Sequence, residues 1–297
     1  MKILLLGKNG QVGWELQRSL APLGEVIALD RCSTGGLSGD LSNLDSLRAT
    51  IRKVQPNIIV NAAAYTQVDK AESENELASL VNGLAIGVIA QEAKFLDSWL
   101  IHYSTDYVFD GQGTTPWSET DAVAPVNQYG VSKLAGEQAI RETGCKHLIF
   151  RTSWVYGARG NNFAKTMLRL ARERDTLNVI ADQFGAPTGA DLIADVTALA
   201  MRQSFTRPQL SGLYHLAAAG EVSWHGYAKH IIDFANTQGE ELCVRAVNPI
   251  ESSAYPTPAR RPLNSRLSTR KLRDTFSIHL PEWQSGVTRM LMEVLNK

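Results

Sequence analysis

Short unbroken apolar runs alternate with longer stretches in which apolar residues recur every three or four positions. Ile3–Leu6, Val26–Leu29, Ile58–Val60, Trp99–Tyr103 and His147–Arg151 are too short for helices and do not alternate, which predicts strands buried on both faces. Between them Gln11–Leu23, Leu44–Val54, Glu76–Lys94 and Gln128–Thr143 carry helical spacing. Strand and helix in alternation predict right-handed βαβ units and an α/β, Rossmann-type, doubly wound parallel sheet over residues 1–155. Past about residue 155 the pattern changes. Asn162–Arg174 and Leu192–Gln203 read as helices, strand runs thin out, and proline-bearing loops appear at Ala186-Pro187-Thr188 and Tyr255–Pro262. The expectation is a smaller substrate-binding lobe over 156–297 built from discontinuous segments, with parts of 186–220 joining the first domain.

Composition narrows the classes. At 297 residues and 44% hydrophobic, the chain can bury a core without disulfides or metals. Thirty basic residues balance thirty acidic ones, which is not the footprint of a nucleic-acid binder. Cys32, Cys145 and Cys243 are odd in number and far apart, so a disulfide framework is not expected and three packed thiols are. The opening apolar run is broken at once by Gly7, Lys8 and Asn9, too soon for a signal peptide, and no stretch is long enough to span a membrane. A soluble, cytoplasmic protein is expected.

Gly7-Lys8-Asn9-Gly10-Gln11-Val12-Gly13 follows the first strand and opens the first helix. A strand entering a helix through a tight turn aims free N–H groups and the positive helix end at one point, a site for a pyrophosphate. The glycines are spaced three apart, which departs from G-x-G-x-x-G, and tight strand–helix turns also need glycine for structural reasons alone. Asp30, at the end of the second strand, is placed to accept from adenosine ribose hydroxyls and would favour NADH; Arg31 beside it can pair with a 2′-phosphate and would favour NADPH. Asp40 and Leu41 fall where the chain should pass the adenine, and Ala62, Ala63 and Ala64 end the third strand with small residues suited either to a nucleotide or to close helix packing.

Tyr103-Ser104-Thr105-Asp106 ends the fourth strand at the edge where ligands of open sheets bind, and Tyr129-Gly130-Val131-Ser132-Lys133 heads the next helix. Tyr129 and Lys133 share a helix face. A free phenol titrates near 10, and a nearby ammonium is expected to lower it towards the working range. Lys133 can also hold a nicotinamide ribose, and Thr105 can polarise a carbonyl oxygen. A Tyr-x-x-x-Lys spacing arises easily by chance; its place after a strand ending in Ser-Thr gives it weight.

The glycine loop, Asn61–Ala64, Ser104–Gly111 and Tyr129–Lys133 resemble the extended short-chain dehydrogenase/reductase family, and within it the enzymes that reduce 4-keto sugars attached to dTDP. The similarity continues through Arg151–Tyr156, Asn162-Phe163-Ala164, Asp182–Thr188 and Ala259–Pro262, so it covers essentially the whole chain. It implies a dTDP-linked 4-keto-deoxysugar as substrate, NADPH or NADH as cofactor, and Tyr129 as proton donor. It implies too that Ser104, Thr105 and Asp106 lie near the reacting sugar and that Trp154 packs on it, where composition alone would allow a core aromatic. Related dehydratases carry Thr-Asp-Glu where this chain has Thr105-Asp106-Tyr107, so elimination of water lacks its base; a 4-epimerase is less firmly excluded. Some proteins similar to the family bind the dinucleotide as regulatory subunits, a role against which the intact Thr105, Tyr129 and Lys133 argue. The resemblance also implies a homodimer bridged by Mg2+ on Asp191 and Glu293, against which stands a reading of both as solvated surface carboxylates. Arg260, Arg261 and Arg266 are candidates to grip a pyrophosphate, and nothing in the sequence selects among them.

Overall fold

In the computed structural model, which describes residues 1–33 and 35–296, the five expected strands form. They are β1 (Lys2–Leu6), β2 (Glu25–Leu29), β3 (Ile58–Asn61), β4 (Trp99–Thr105) and β5 (Lys146–Thr152), and Gly212–His215 adds a sixth, β6. The sheet is parallel throughout, in the order β6-β5-β4-β3-β1-β2. The order in which the strands are added reverses between β1 and β3, and the carboxyl ends there open a crevice.

Alternation along each buried strand sends neighbouring residues to opposite helical layers. Ile3, Leu5, Val60 and Ile101 pack with Leu16, Leu20, Ile193 and Phe276, from the helices Gln11–Leu20, Ala190–Thr206 and Arg270–Phe276. Leu4, Leu6, Ile59 and Leu100 pack with Leu47, Ile51, Ile89 and Ile140 on the other face. A further core joins the helices Phe163–Glu173, Trp224–Thr237 and Trp283–Leu295 through Leu168, Tyr227, Ile231, Val287 and Leu291. Beside it a parallel pair, Thr176–Ile180 with Ala246–Ile250, completes the late segments. Among the described residues no helix is long and apolar enough to cross a membrane.

The helix expected over Glu76–Lys94 departs from regularity. It runs as Asn75–Ser79, a π turn at Leu80–Leu84, and Ala85–Phe95. The wider turn presents Asn82, whose amide accepts from Tyr65 N (2.9 Å) and donates to Tyr65 O (3.0 Å) and Ser132 Oγ (3.0 Å). One buried side chain thereby ties the segment after β3 to the helix that carries Tyr129.

Candidate active site

At the end of β1 the backbone turns at Gly7, whose φ of +88° belongs to glycine. The helix Gln11–Leu20 then starts at Gly10 with no side-chain cap, so its first N–H groups face the crevice with no partner from the helix itself. That donor set fits a pyrophosphate. Gly13 has another role: a Cβ there would lie 2.1 Å from Gly7 O, so its bareness lets the helix pack onto the loop. It is the one member of the expected dinucleotide set that does not line the cleft, a cavity of about 1140 Å3.

Gly7, Gly10, Gln11, Val12, Asp30, Arg31, Asp40 and Leu41 line one end of it, where the sequence placed the adenosine, and Ala62–Ala64 follow. Asp30 is already partnered. Its carboxylate accepts from Asn9 Nδ2 (2.6 Å) and Cys32 N (2.9 Å), with Lys8 Nζ 3.7 Å away, while Arg31 beside it is exposed. Asp40 accepts from Ser42 N and Oγ.

The other end of the cleft gathers the candidate catalytic side chains. Tyr103, Ser104, Thr105 and Asp106 arrive on and just after β4, and Tyr129 and Lys133 on the helix Gln128–Thr143. Asn127 caps that helix through Gly130 N (2.8 Å) and donates to Arg260 O (2.8 Å), joining it to the arginine loop. The Tyr129 ring stands edge-on to Tyr107, with centroids 5.7 Å apart.

The electrostatics differ from expectation. Burial, then the Asp106 carboxylate, raise the Tyr129 phenol above its ordinary value, and hydrogen bonding with Thr105 opposes this without reversing it. Lys133 does not lower it here because its ammonium is turned elsewhere: Nζ donates to Tyr103 O at 2.6 Å and lies 3.5 Å from His102 Nε2. Burial holds Lys133 down to about 8, against the pull of Glu137. Glu137 is itself clamped by Arg151 through two hydrogen bonds (2.9 and 2.7 Å) within the core. His102, fully buried, is kept neutral by burial and by Lys133.

Burial lifts Asp106 to about 7 although Thr105 Oγ1 donates to it at 3.2 Å. A carboxyl held neutral to that point in the fold, but ionised in the unfolded chain above its ordinary value near 3.8, destabilises the fold progressively as pH rises between the two. Asp106→Asn should therefore gain stability over the wild type at pH 8 but not at pH 4, by up to about 4 kcal/mol. Denaturant unfolding of both proteins at the two pH values checks this; an equal effect at both would contradict it.

Four buried oxygens in the cleft, Ser104 Oγ, Asp106 Oδ2, Thr152 Oγ1 and Ser153 Oγ, make no hydrogen bond among the described residues. Orphaned polar atoms grouped in a cavity fit a hydroxyl-rich ligand. Trp154 lines the same end with φ at +48°, a left-handed conformation unusual for a bulky residue. Trp224, far away in the sequence, lies on it.

The family described as RmlD substrate binding domain matches residues 1–296. The chain belongs to this family. It is 58% identical over 294 residues to the dTDP-4-dehydrorhamnose reductase of Escherichia coli (strain K12), covering 99% of this chain and 98% of that protein. The reductase of the same name from Burkholderia thailandensis is 49% identical over 303 residues, covering both chains fully. A crystal structure of dTDP-4-dehydrorhamnose reductase from Bacillus anthracis in complex with NADP superposes with a TM-score of 0.87 at 35% identity, over 98% of this chain and 99% of that one.

The remaining candidates separate. Among the described residues no three His, Cys, Asp or Glu side chains group to hold a metal. Asp191 forms an ion pair with Arg289, and Glu293 is exposed on the last helix, so within one chain the pair does not fit as a magnesium site. Arg261 pairs with Asp69 (2.7 Å) and Arg266 with Glu221 (2.6 Å); Arg260 is exposed and makes no ion pair among the described residues. Arg260 and Arg261 line a second cavity of about 690 Å3, which shares Arg261 with the main cleft. Trp224, His102 and Asn82 had no signature in the sequence, since each acts through contacts with residues distant in the chain.

Proposed function

We propose that this chain reduces the C4 ketone of dTDP-4-dehydro-6-deoxy-L-mannose to dTDP-L-rhamnose with NADPH or NADH, and that Tyr129 donates the proton. The observation that carries the reading is the meeting of Tyr129, Thr105 and Lys133 in one cleft with an uncapped helix N-terminus and four unpaired buried oxygens. The names of the full-length relatives support the substrate, and the NADP complex of a 35% identical structure supports the cofactor.

The helix at Gln11–Leu20 holds the pyrophosphate, and Arg31 suits a 2′-phosphate now that Asp30 is engaged by Asn9 and Cys32. When bound, the nicotinamide supplies hydride to sugar C4. Thr105, turning its proton from Asp106, donates to the carbonyl oxygen, and Tyr129 gives its phenolic proton to the oxygen as negative charge develops there. The raised phenol keeps this proton in place until it is needed. Lys133 favours the phenolate left behind once its ammonium is drawn towards the ribose side, and solvent restores the proton. Tyr107, in place of a carboxylate, leaves no base for elimination.

Arg260 is the guanidinium assigned to the substrate pyrophosphate, in the cavity that adjoins the cleft. NADPH consumption is expected only with the dTDP-linked 4-keto-deoxysugar present, in stoichiometric amount. Arg260→Ala should raise KM for it by about 10- to 100-fold, the loss of one charge-assisted contact, with kcat within about threefold. Binding of NADPH without turnover would overturn the reductase reading, and an unchanged KM would remove Arg260 from it.

A further inference from the structure

Trp154 is held from more than one side. Its indole stacks on Trp224 with centroids 3.6 Å apart and planes 13° from parallel. Gly185 closes on the same indole so tightly that a Cβ there would lie 2.8 Å from Trp154 Cε2. Trp224 is itself fixed: Nε1 donates to Gln183 Oε1 at 3.1 Å, and Phe163 packs with its centroid 4.5 Å away. Trp154 lies two residues past the end of β5, whereas Trp224 opens the helix Trp224–Thr237, whose buried face belongs to the core of the late segments. Both indoles line the cleft that holds Tyr129 and Thr105. A left-handed tryptophan backbone persists only where its surroundings hold it, and such positions gather at ligand clamps.

We propose that Trp224 is a positioning residue that clamps Trp154 as a flat apolar wall of the sugar subsite and thereby selects a deoxysugar over its hydroxylated counterpart. The inference rests on the reductase reading of the cleft. The unpaired oxygens of Ser104, Thr152 and Ser153 meet sugar hydroxyls. An indole face accepts C–H groups and a methyl, and leaves an extra hydroxyl without a partner. Trp224 touches none of the reacting atoms; it decides where Trp154 stands.

The stacked pair should give an exciton couplet in the far-ultraviolet circular dichroism spectrum, which Trp224→Leu abolishes. In that variant KM for the dTDP-linked 4-keto-6-deoxysugar should rise by about tenfold or more, and preference over the 6-hydroxy analogue should fall by about fivefold or more. Its kcat should stay within about threefold, and its NADPH Kd should be unchanged. Trp224→Phe, which keeps an aromatic face against Trp154, should restore KM to within about threefold. Gly185→Ala, which displaces Trp154 while leaving Trp224 in the chain, should reproduce the rise in KM. Loss of the couplet with KM and selectivity unchanged overturns the clamp, as does an equal weakening of NADPH binding, which would mark general structural damage. Should the wild type fail to turn over the keto-sugar, the reductase reading falls. The clamp is then decided by comparing tryptophan quenching by the dTDP-linked deoxysugar in Trp224→Leu and Trp224→Phe.

Discussion

Tyr129→Phe should lower kcat by about 10²- to 10⁴-fold, the usual contribution of a positioned general acid, while the NADPH Kd changes by less than about threefold. The phenylalanine ring keeps the edge contact with Tyr107, and the helix keeps its Asn127 cap, so the loss is confined to one hydroxyl. Single-turnover measurement with bound NADPH isolates the chemical step from product release. A variant that turns over within about tenfold of the wild type would sink the assignment and move attention to Asp106, the nearby carboxyl that burial holds at about 7. Phenol and carboxyl differ in how they depend on pH. A donor whose proton is bound well above neutrality imposes no loss as pH rises through about 7, whereas a carboxyl donor would lose activity there.

Lys133→Met should cost about 10²-fold or more in kcat and weaken NADPH binding as well, because in the proposed mechanism one side chain serves both the phenolate and the ribose. The fold should survive the change. Glu137, the acid nearest along the helix, is already satisfied by two hydrogen bonds from Arg151, so no buried charge is left unpaired. What goes is the donor to the Tyr103 carbonyl. In the wild type the ammonium is present below about 8 and lost above it, so kcat/KM should fall as pH rises through that value. The same limb should be missing from Lys133→Met. A variant with an unchanged NADPH Kd would refute the ribose role, and a wild-type profile flat to pH 9 would refute the charge requirement.

Much of the site was legible because it is local. Gly7 to Gly13, the end of β4 and the Tyr129–Lys133 pair are each contiguous segments tied to a strand end or a helix start, where backbone geometry fixes the direction of the side chains. Within these segments, what could not be read was energetic. Two residues at i and i+4 share a face, but spacing does not say that the Tyr103 carbonyl and the site of His102 would draw the ammonium away from the phenol. Nor does it say that Asp106 would be buried beside the phenol and raise it. Gly13 shows the same limit in small. A glycine in a phosphate loop can face a ligand or make room for backbone, and only the 2.1 Å approach to Gly7 O distinguishes them.

By itself, then, the chain's pattern determined the parallel sheet, the helix that follows the glycine loop and the helix that carries the Tyr–Lys pair, because hydrophobic periodicity and turn chemistry act over a few residues. The edge strand Gly212–His215 and the π turn that places Asn82 were decided by the tertiary structure. So was the meeting of Trp154 with Trp224, seventy positions apart in sequence. These features rest on contacts between remote segments, whose free energy is set only when those segments pack together.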